Sequence, residues 1–257
     1  MHYLTCSLTD KGDTRKINQD SMLLTSLETE HRRCLLASVC DGMGGLAEGE
    51  KASGMAVKAL EDWFHTSFPS FIGKDGVIYR DTLYAGLRDI AYEIDRAIRN
   101  YGKTAGVVCG TTMTLILTLG DRFVTMNIGD SRVYVIRDGR LHHLTKDQTY
   151  VQVKYEEGED LYELEHGKMR SYLIQCLGAG DVPRPVFSSG TIKKGDLYLL
   201  CSDGFRHEIS DDEIAIACTP GRIRSEDDME HIGTDLIQMN RRRGEKDNIT
   251  LIMVQTR

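Results

Sequence analysis

Only four prolines occur in the 257 residues, two of them together in "DVPRPV". Serine-rich tracts, low-complexity stretches and internal repeats are also missing, so nothing marks a linker and one domain spanning 1–257 is expected. Seven cysteines are scattered without a C-x-x-C. Their odd number and wide spacing exclude a disulfide frame and a zinc ribbon, and point to reduced thiols in a cytoplasmic protein. Positive charge is in deficit, the net being −7, which argues against a nucleic-acid partner. Apolar runs long enough to span a bilayer are absent. The opening "MHYLTCSLTDKGDTRKINQD" has no basic region followed by an apolar one, so neither a signal peptide nor a membrane partner is expected. What remains is 40% hydrophobic and 28% charged, ordinary for a globular chain with length enough for a large core.

Strand patterns open the chain in "HYLTCSLT", "SMLLTSL" and "CLLASVC". Helix spacing follows at about 47–66, through Ala52, Met55, Ala56, Ala59, Leu60, Trp63 and Phe64. A second helix, about 80–101, has one apolar stripe from Leu83 to Tyr101. "TTMTLILTL", "RFVTMNI" and "RVYVIR" then read as a β-meander joined by "GD" and "GDS" turns, with "DGR" leading into "LHHLT". A polar, acidic stretch at 146–170 reads as loop or short helix. "DLYLLCS" and "NITLIMVQ" are late strands, with a helix between them through Met229, Ile232, Leu236 and Ile237. Strands clustered around helical pairs predict an α+β fold, a sheet core covered by helices.

The chemistry lies at the strand ends. "CLLASVCDGMGG" closes an apolar run on Asp41 and then sheds its side chains; taken alone, this is a tight turn. But Asp203 also follows a strand, Asp247 and Asp20 each precede one, and Asp130 sits between two. In antiparallel neighbours the end of one strand lies beside the start of the next. These carboxylates can therefore share a sheet rim, where they repel one another. Protonation relieves that by raising pKa values; a divalent cation relieves it with the charges kept. Oxygen-only ligands select hard ions such as Mg²⁺ or Mn²⁺. Each aspartate singly also reads as a turn or cap residue.

At these residues the chain resembles the metal-dependent, type 2C serine/threonine protein phosphatases. The resemblance runs over nearly the whole chain, in order: "RKINQD", "DGMGG", "GTTMTLIL", "NIGDSRVYVIRDGRLHHLT", "CSDGF" and "KDNITLIMV". The short "DGMGG" form is more like bacterial members. The resemblance implies a central β-sandwich of two antiparallel sheets with helices on both outer faces, α-β-β-α in layers, and a metal site at one end.

It further implies two ions, Mn²⁺ or Mg²⁺, bridged by Asp41. Asp203 and Asp247 hold one of them, and the Gly42 carbonyl helps hold the other. Asp20 supports a metal-bound water or its neighbours, and Asp130 matches a residue used for a weaker third ion. Arg15 grips the substrate phosphate through its bidentate fork. Asn248 orients water or phosphate, or bonds within its own turn. Water activated by the two metals attacks phosphorus in line, so Cys40 and Cys201 are expected to be buried structural thiols rather than nucleophiles.

Two departures stand out. Some members have a histidine, a proposed general acid, where this chain has Met43, and glutamate where it has Gln19. Methionine donates no proton, and Gln19 adds no charge to the second metal. His142 and His143 point to opposite faces of a strand, so they do not share a zinc ion.

A flap is expected at about 146–177. Six of the ten residues from Glu156 to Glu165 are acidic: a solvated helix, or a negative lip favouring basic residues around the phosphosite. The expected activity is signal-transducing hydrolysis of phosphoserine and phosphothreonine in proteins, with a cognate serine/threonine kinase as partner. A non-catalytic phosphoprotein-binding scaffold and a two-metal hydrolase of small phosphate esters are the alternatives.

Overall fold

The computed structural model describes residues 2–30, 32–43, 48–219 and 221–257, with Glu165 described for its backbone only. Gly44 and Gly45 of "DGMGG", and the Ala47 start expected for the first helix, lie outside the described residues. Among the described residues ten strands form two antiparallel five-stranded sheets. The first contains β1 (Tyr3–Asp10), β6 (Arg132–Arg137), β7 (Arg140–His143), β9 (Leu197–Cys201) and β10 (Ile249–Thr256), in the order β1-β10-β9-β6-β7. The second contains β2 (Asp20–Glu28), β3 (Arg33–Asp41), β4 (Met113–Leu119), β5 (Arg122–Ile128) and β8 (Val186–Thr191), in the order β2-β3-β4-β5-β8.

Three cores make the layers. Leu35, Ala37, Val39, Ile116, Tyr198, Leu200 and Ile252 fill the space between the sheets. On β3 the alternate residues Cys34, Leu36 and Cys40 face outward instead, under α1 (Gly49–Thr66) and α2 (Arg80–Ala105). Opposite, Leu199, Cys201, Leu251 and Met253 pack under α5 (Asp211–Ala217) and α6 (Glu226–Arg243). A strand buried on both faces needs apolar residues at successive positions, which is why "CLLASVC" is nearly unbroken. The α-β-β-α expectation therefore holds, and Cys40 and Cys201 are fully buried, their thiols pushed up to about 12 by burial.

The outer helices carry their own end signals. Ser225 accepts the Asp228 N–H at 3.2 Å, and acidic residues at the start of α6 face arginines 241–243 at its end. Both features complement the helix dipole. Ser210 and Glu213 form a reciprocal capping box on α5.

One topological expectation is corrected. β4 and β5 form a hairpin, as do β6 and β7, but β5 and β6 belong to different sheets. "GDS" is thus a crossing from one sheet to the other, not a hairpin turn. Local spacing is blind to this, because a short turn and a short inter-sheet crossing use the same residues. Two elements escape sequence reading. β8, "VFSSGT", has little apolar alternation because it is an edge strand, and α5 is only seven residues long. In the 146–177 stretch the structure contains α3 (Tyr150–Glu156) and α4 (Leu161–Glu165). The excursion is tied back by the Thr149–Leu173 and Thr111–Leu177 bridges. His143 packs edge-on against Tyr134 and bonds Asp211 at 2.6 Å.

Candidate active site

β2 and β3 pair with Asp20 directly opposite Asp41, at one end of their sheet. In the other sheet, β9 leaves at Cys201 into a tight turn over Asp203–Phe205, while neighbouring β10 starts at Ile249, just after Asp247. The antiparallel register thus brings all four carboxylates to the same rim. Ser202 joins the two halves: its hydroxyl donates to Asp20 Oδ2 at 2.8 Å and accepts the Thr250 N–H at 3.0 Å.

Asp41 is fixed through its backbone. Its N–H donates to Thr112 Oγ1, and its carbonyl accepts from the Thr112 N–H and Thr111 Oγ1, each at 2.9 Å. Thr112 Oγ1 and Ser131 Oγ lie 2.9 Å apart, which ties "GTT" and "GDS" to the same strand end. Gly42 donates to the Gln19 carbonyl at 3.1 Å. A Cβ on Gly42 would run into the Gly49 and Gln19 carbonyl oxygens, and one on Gly204 into the Asn248 carbonyl. Glycine is required at both places by the closeness of neighbouring backbone.

The electrostatics are those of crowded acids. Burial raises Asp20 to about 7, with Asp203 and Asp247 pushing the same way. Asp41 is raised well above the ordinary carboxylate range by burial and by Asp20, Asp203, Asp130 and Asp247. Burial, then Asp203, lifts Asp130 to about 7 against the pull of Arg206. Asp20 Oδ1 and Asp203 Oδ1 are buried acceptors with no hydrogen-bond partner. Buried acceptors of this kind, all oxygen, suit a hard divalent cation.

Among the described residues, no three acidic, histidine or cysteine side chains converge on one metal position. Asp247 supplies a reason. Its carboxylate is held by Arg15 in a paired bridge, Nε to Oδ1 at 2.9 Å and Nη2 to Oδ2 at 2.7 Å. Two residues with separate expected roles, one for phosphate and one for metal, here neutralise each other. Arg15 stays partly exposed, its side chain 36% accessible.

Asn248 differs from expectation. Its Oδ1 accepts the Gln19 N–H at 2.8 Å, and its Nδ2 donates to the Lys11 and Ile17 carbonyls at 2.8 and 3.2 Å. A buried amide engaged by three backbone groups has no donor left for a phosphate; Asn248 clamps the "RKINQD" loop to β10 instead. Met43 donates its N–H to the Gly110 carbonyl at 3.0 Å, and Gln19 Nε2 reaches Glu50 at 3.4 Å.

Four charged neighbours escaped the sequence reading. His207 Nε2 lies 3.5 Å from Asp203 Oδ2, and its Nδ1 lies 3.1 Å from Glu245 Oε2. Burial would lower His207, but Glu245 and Asp203 outweigh it and raise its pKa. Glu245 Oε1 in turn accepts the Lys246 and Asp247 N–H groups at 2.7 and 2.8 Å. Arg206 and Asp147 flank Asp130. Adjacency to "SDG" and "KDN" was the one available signal for Arg206, His207 and Glu245. Asp147 had none.

Residues 13–251 match the family model described as Protein phosphatase 2C. The serine/threonine protein phosphatase PstP of Mycobacterium tuberculosis is 33% identical over 245 residues, 95% of this chain but 43% of its own length. The chain therefore spans less than half of that relative. Among solved structures, the S. agalactiae serine/threonine phosphatase superposes with a TM-score of 0.85 at 26% identity, covering 100% of both chains. The catalytic domain of PstP, in complex with two manganese ions, does so at 0.77 and 30% identity, covering 98% of this chain and 97% of its own. With the ordered motifs, the rim of aspartates and the two-sheet architecture all in agreement, the chain belongs to the protein phosphatase 2C family.

Proposed function

We propose that this chain is a metal-dependent phosphatase of phosphoserine and phosphothreonine in proteins. The observation that carries the reading is the meeting of Asp20, Asp41, Asp203 and Asp247, drawn from both sheets, on one rim beside Arg15. The relatives' names and the two manganese ions of the PstP catalytic domain support it.

Asp41, Asp203, Asp247 and the Gly42 carbonyl would hold two divalent ions, Mn²⁺ or Mg²⁺, with Asp20 steadying their waters. When bound, the ions supply a water that ionises near neutral pH and neutralise charge building on the phosphate oxygens. The protein's own part is positional. Thr111 and Thr112 fix the Asp41 backbone, Ser202 spans the sheets to Asp20, and Asn248 holds the loop that carries Arg15. Arg15 exchanges the Asp247 carboxylate for a substrate phosphate. The two anions present the same fork of oxygens, and Asp247 is then free to face a cation. Met43 provides no proton to the leaving oxygen, so slow cleavage of alkyl esters relative to aryl esters is expected, within the roughly 10²–10⁴-fold range of general-acid help.

Residues 146–177 are proposed as a flap beside this rim, its acidic segment favouring basic residues around the phosphosite. A serine/threonine kinase acting on the same proteins is the natural partner. The cytoplasm is the proposed compartment, since all seven cysteines are free thiols. Among the described residues no helix is long and apolar enough to cross a membrane.

The test is phosphate release from a phosphothreonine peptide with manganese titrated against chelator. Release should rise with manganese and vanish in Asp203→Asn. Binding of the phosphopeptide without release would indicate a scaffold, and release from small esters alone would indicate a small-molecule hydrolase.

A further inference from the structure

Arg206 leaves the Asp203–Phe205 turn and its guanidinium runs back beneath the rim. Nη2 donates to the Asp130 carbonyl at 3.2 Å and lies 3.6 Å from Asp130 Oδ2. The same nitrogen lies 3.2 Å from Asp147 Oδ2. Asp147 is itself locked by Arg132, Nε to Oδ1 and Nη2 to Oδ2 both at 2.8 Å, and Arg132 Nη1 donates to the Tyr134 hydroxyl at 3.1 Å. The side chains of Arg206, Asp130 and Asp147 are 15%, 14% and 10% exposed. Two guanidiniums thus face two carboxyl groups in a nearly dry cluster. Arg206 Nε is buried without a partner, so the side chain is held there by charge rather than by a full set of hydrogen bonds.

Asp130 and Asp203 differ in consequence. Asp203 Oδ1 is a buried acceptor with no partner and its Oδ2 lies 3.5 Å from the titratable His207, whereas Asp130 has a guanidinium, a fixed positive charge, beside it. A divalent ion on the Asp130 carboxylate would be repelled by a guanidinium close by in a low-dielectric setting. Displacing Arg206 would strip a buried arginine of its charge partners, which is costly.

We infer that Arg206 is the resident counter-cation of Asp130, so that the centre of this chain takes up two divalent ions and excludes a third. The inference rests on the two-ion reading above. It assigns Arg206 the role of a positioning residue that sets metal number, and it follows from the one residue after "SDGF" that carries a fixed positive charge into the rim.

The experiment counts Mn²⁺ bound per chain of residues 1–257 at millimolar metal, by equilibrium dialysis read with the electron paramagnetic resonance of free Mn²⁺. Wild type should saturate at two, and Asp130→Asn should also bind two. Arg206→Gln should gain a third, weaker ion that the Arg206→Gln/Asp130→Asn double variant loses, while Arg206→Lys, which keeps the charge, should stay at two. Three ions in wild type falling to two in Asp130→Asn would overturn the inference, even if Arg206→Gln proves unable to fold. So would a folded Arg206→Gln that still binds two. A wild-type count below two would instead remove the two-ion reading, and the inference with it.

Discussion

Arg15 and Asp247 form the most informative pair in the molecule, because each holds the other in place of the phosphate and the metal ion proposed for them. Arg15→Lys keeps one charge but loses the fork that matches two oxygens. It should raise KM for a phosphothreonine peptide by about tenfold or more, with a smaller change in kcat, as steady-state kinetics at saturating manganese would reveal. Equal losses in kcat and kcat/KM would mean that Arg15 acts only in the transition state. Asn248 predicts a different kind of effect. Its amide satisfies the Gln19 N–H and the Ile17 carbonyl of "RKINQD" and the Lys11 carbonyl just before it. Asn248→Ala leaves those groups with no partner and should cost about 1–3 kcal/mol in urea unfolding. The meeting of Asp20, Asp41, Asp203 and Asp247 on one rim was legible because each abuts a strand signal. The role of Asn248 was not, since "KDN" shows a polar residue at a strand start and nothing of the loop, some 230 positions earlier, that it holds.

Secondary elements divide into those that carry the rim and those that only cover it. α6 covers with its first turn: the Ser225 cap and acidic residues stabilise the end that bonds Thr5 of β1, opposite the end whose Asn240 reaches the Phe205 carbonyl. Ser225→Ala should lower stability by about 1 kcal/mol in urea unfolding and leave phosphate release unchanged. β3 carries. Its alternate residues enter two different cores, and its last residue is Asp41. Leu36→Ala, at a fully buried position, should cost about 2–5 kcal/mol. Strongly periodic elements such as α2 were legible in the sequence. The edge strand β8 and the short α5 were not, because neither buries enough apolar surface to impose a pattern.

For the molecule as a whole, the two sheets meet through an apolar interior but at this end through acids. Burial and mutual repulsion raise Asp20 and Asp130 to about 7, and Asp41 also rises. A carboxyl with a folded pKa above its unfolded value stabilises the fold while protonated, below the unfolded pKa, and that contribution is lost as pH rises through the folded pKa. In chelator, the melting temperature should therefore fall between about pH 5 and pH 8. Manganese should reverse the loss: a ligand at about a hundred times its Kd adds about 2.7 kcal/mol per site. Differential scanning calorimetry across pH, with and without manganese, checks both statements. A metal-free melting temperature that climbs over this range would contradict the pKa ordering. Asp41→Asn, one acid fewer at the rim, should flatten the metal-free slope and shrink the manganese shift together.

The sequence by itself determined the strand and helix signals, the oxygen-only character of the candidate ligands and the order of the family motifs. All of these are local: alternation along a strand, residue type, and position next to a strand end. Only the tertiary structure decided that "GDS" crosses between sheets, that Asn248 faces a loop rather than a phosphate, and that Arg206 stands against Asp130. Those facts depend on which chain ends meet across a sandwich. That is fixed by the burial of three cores at once, and no single segment encodes it.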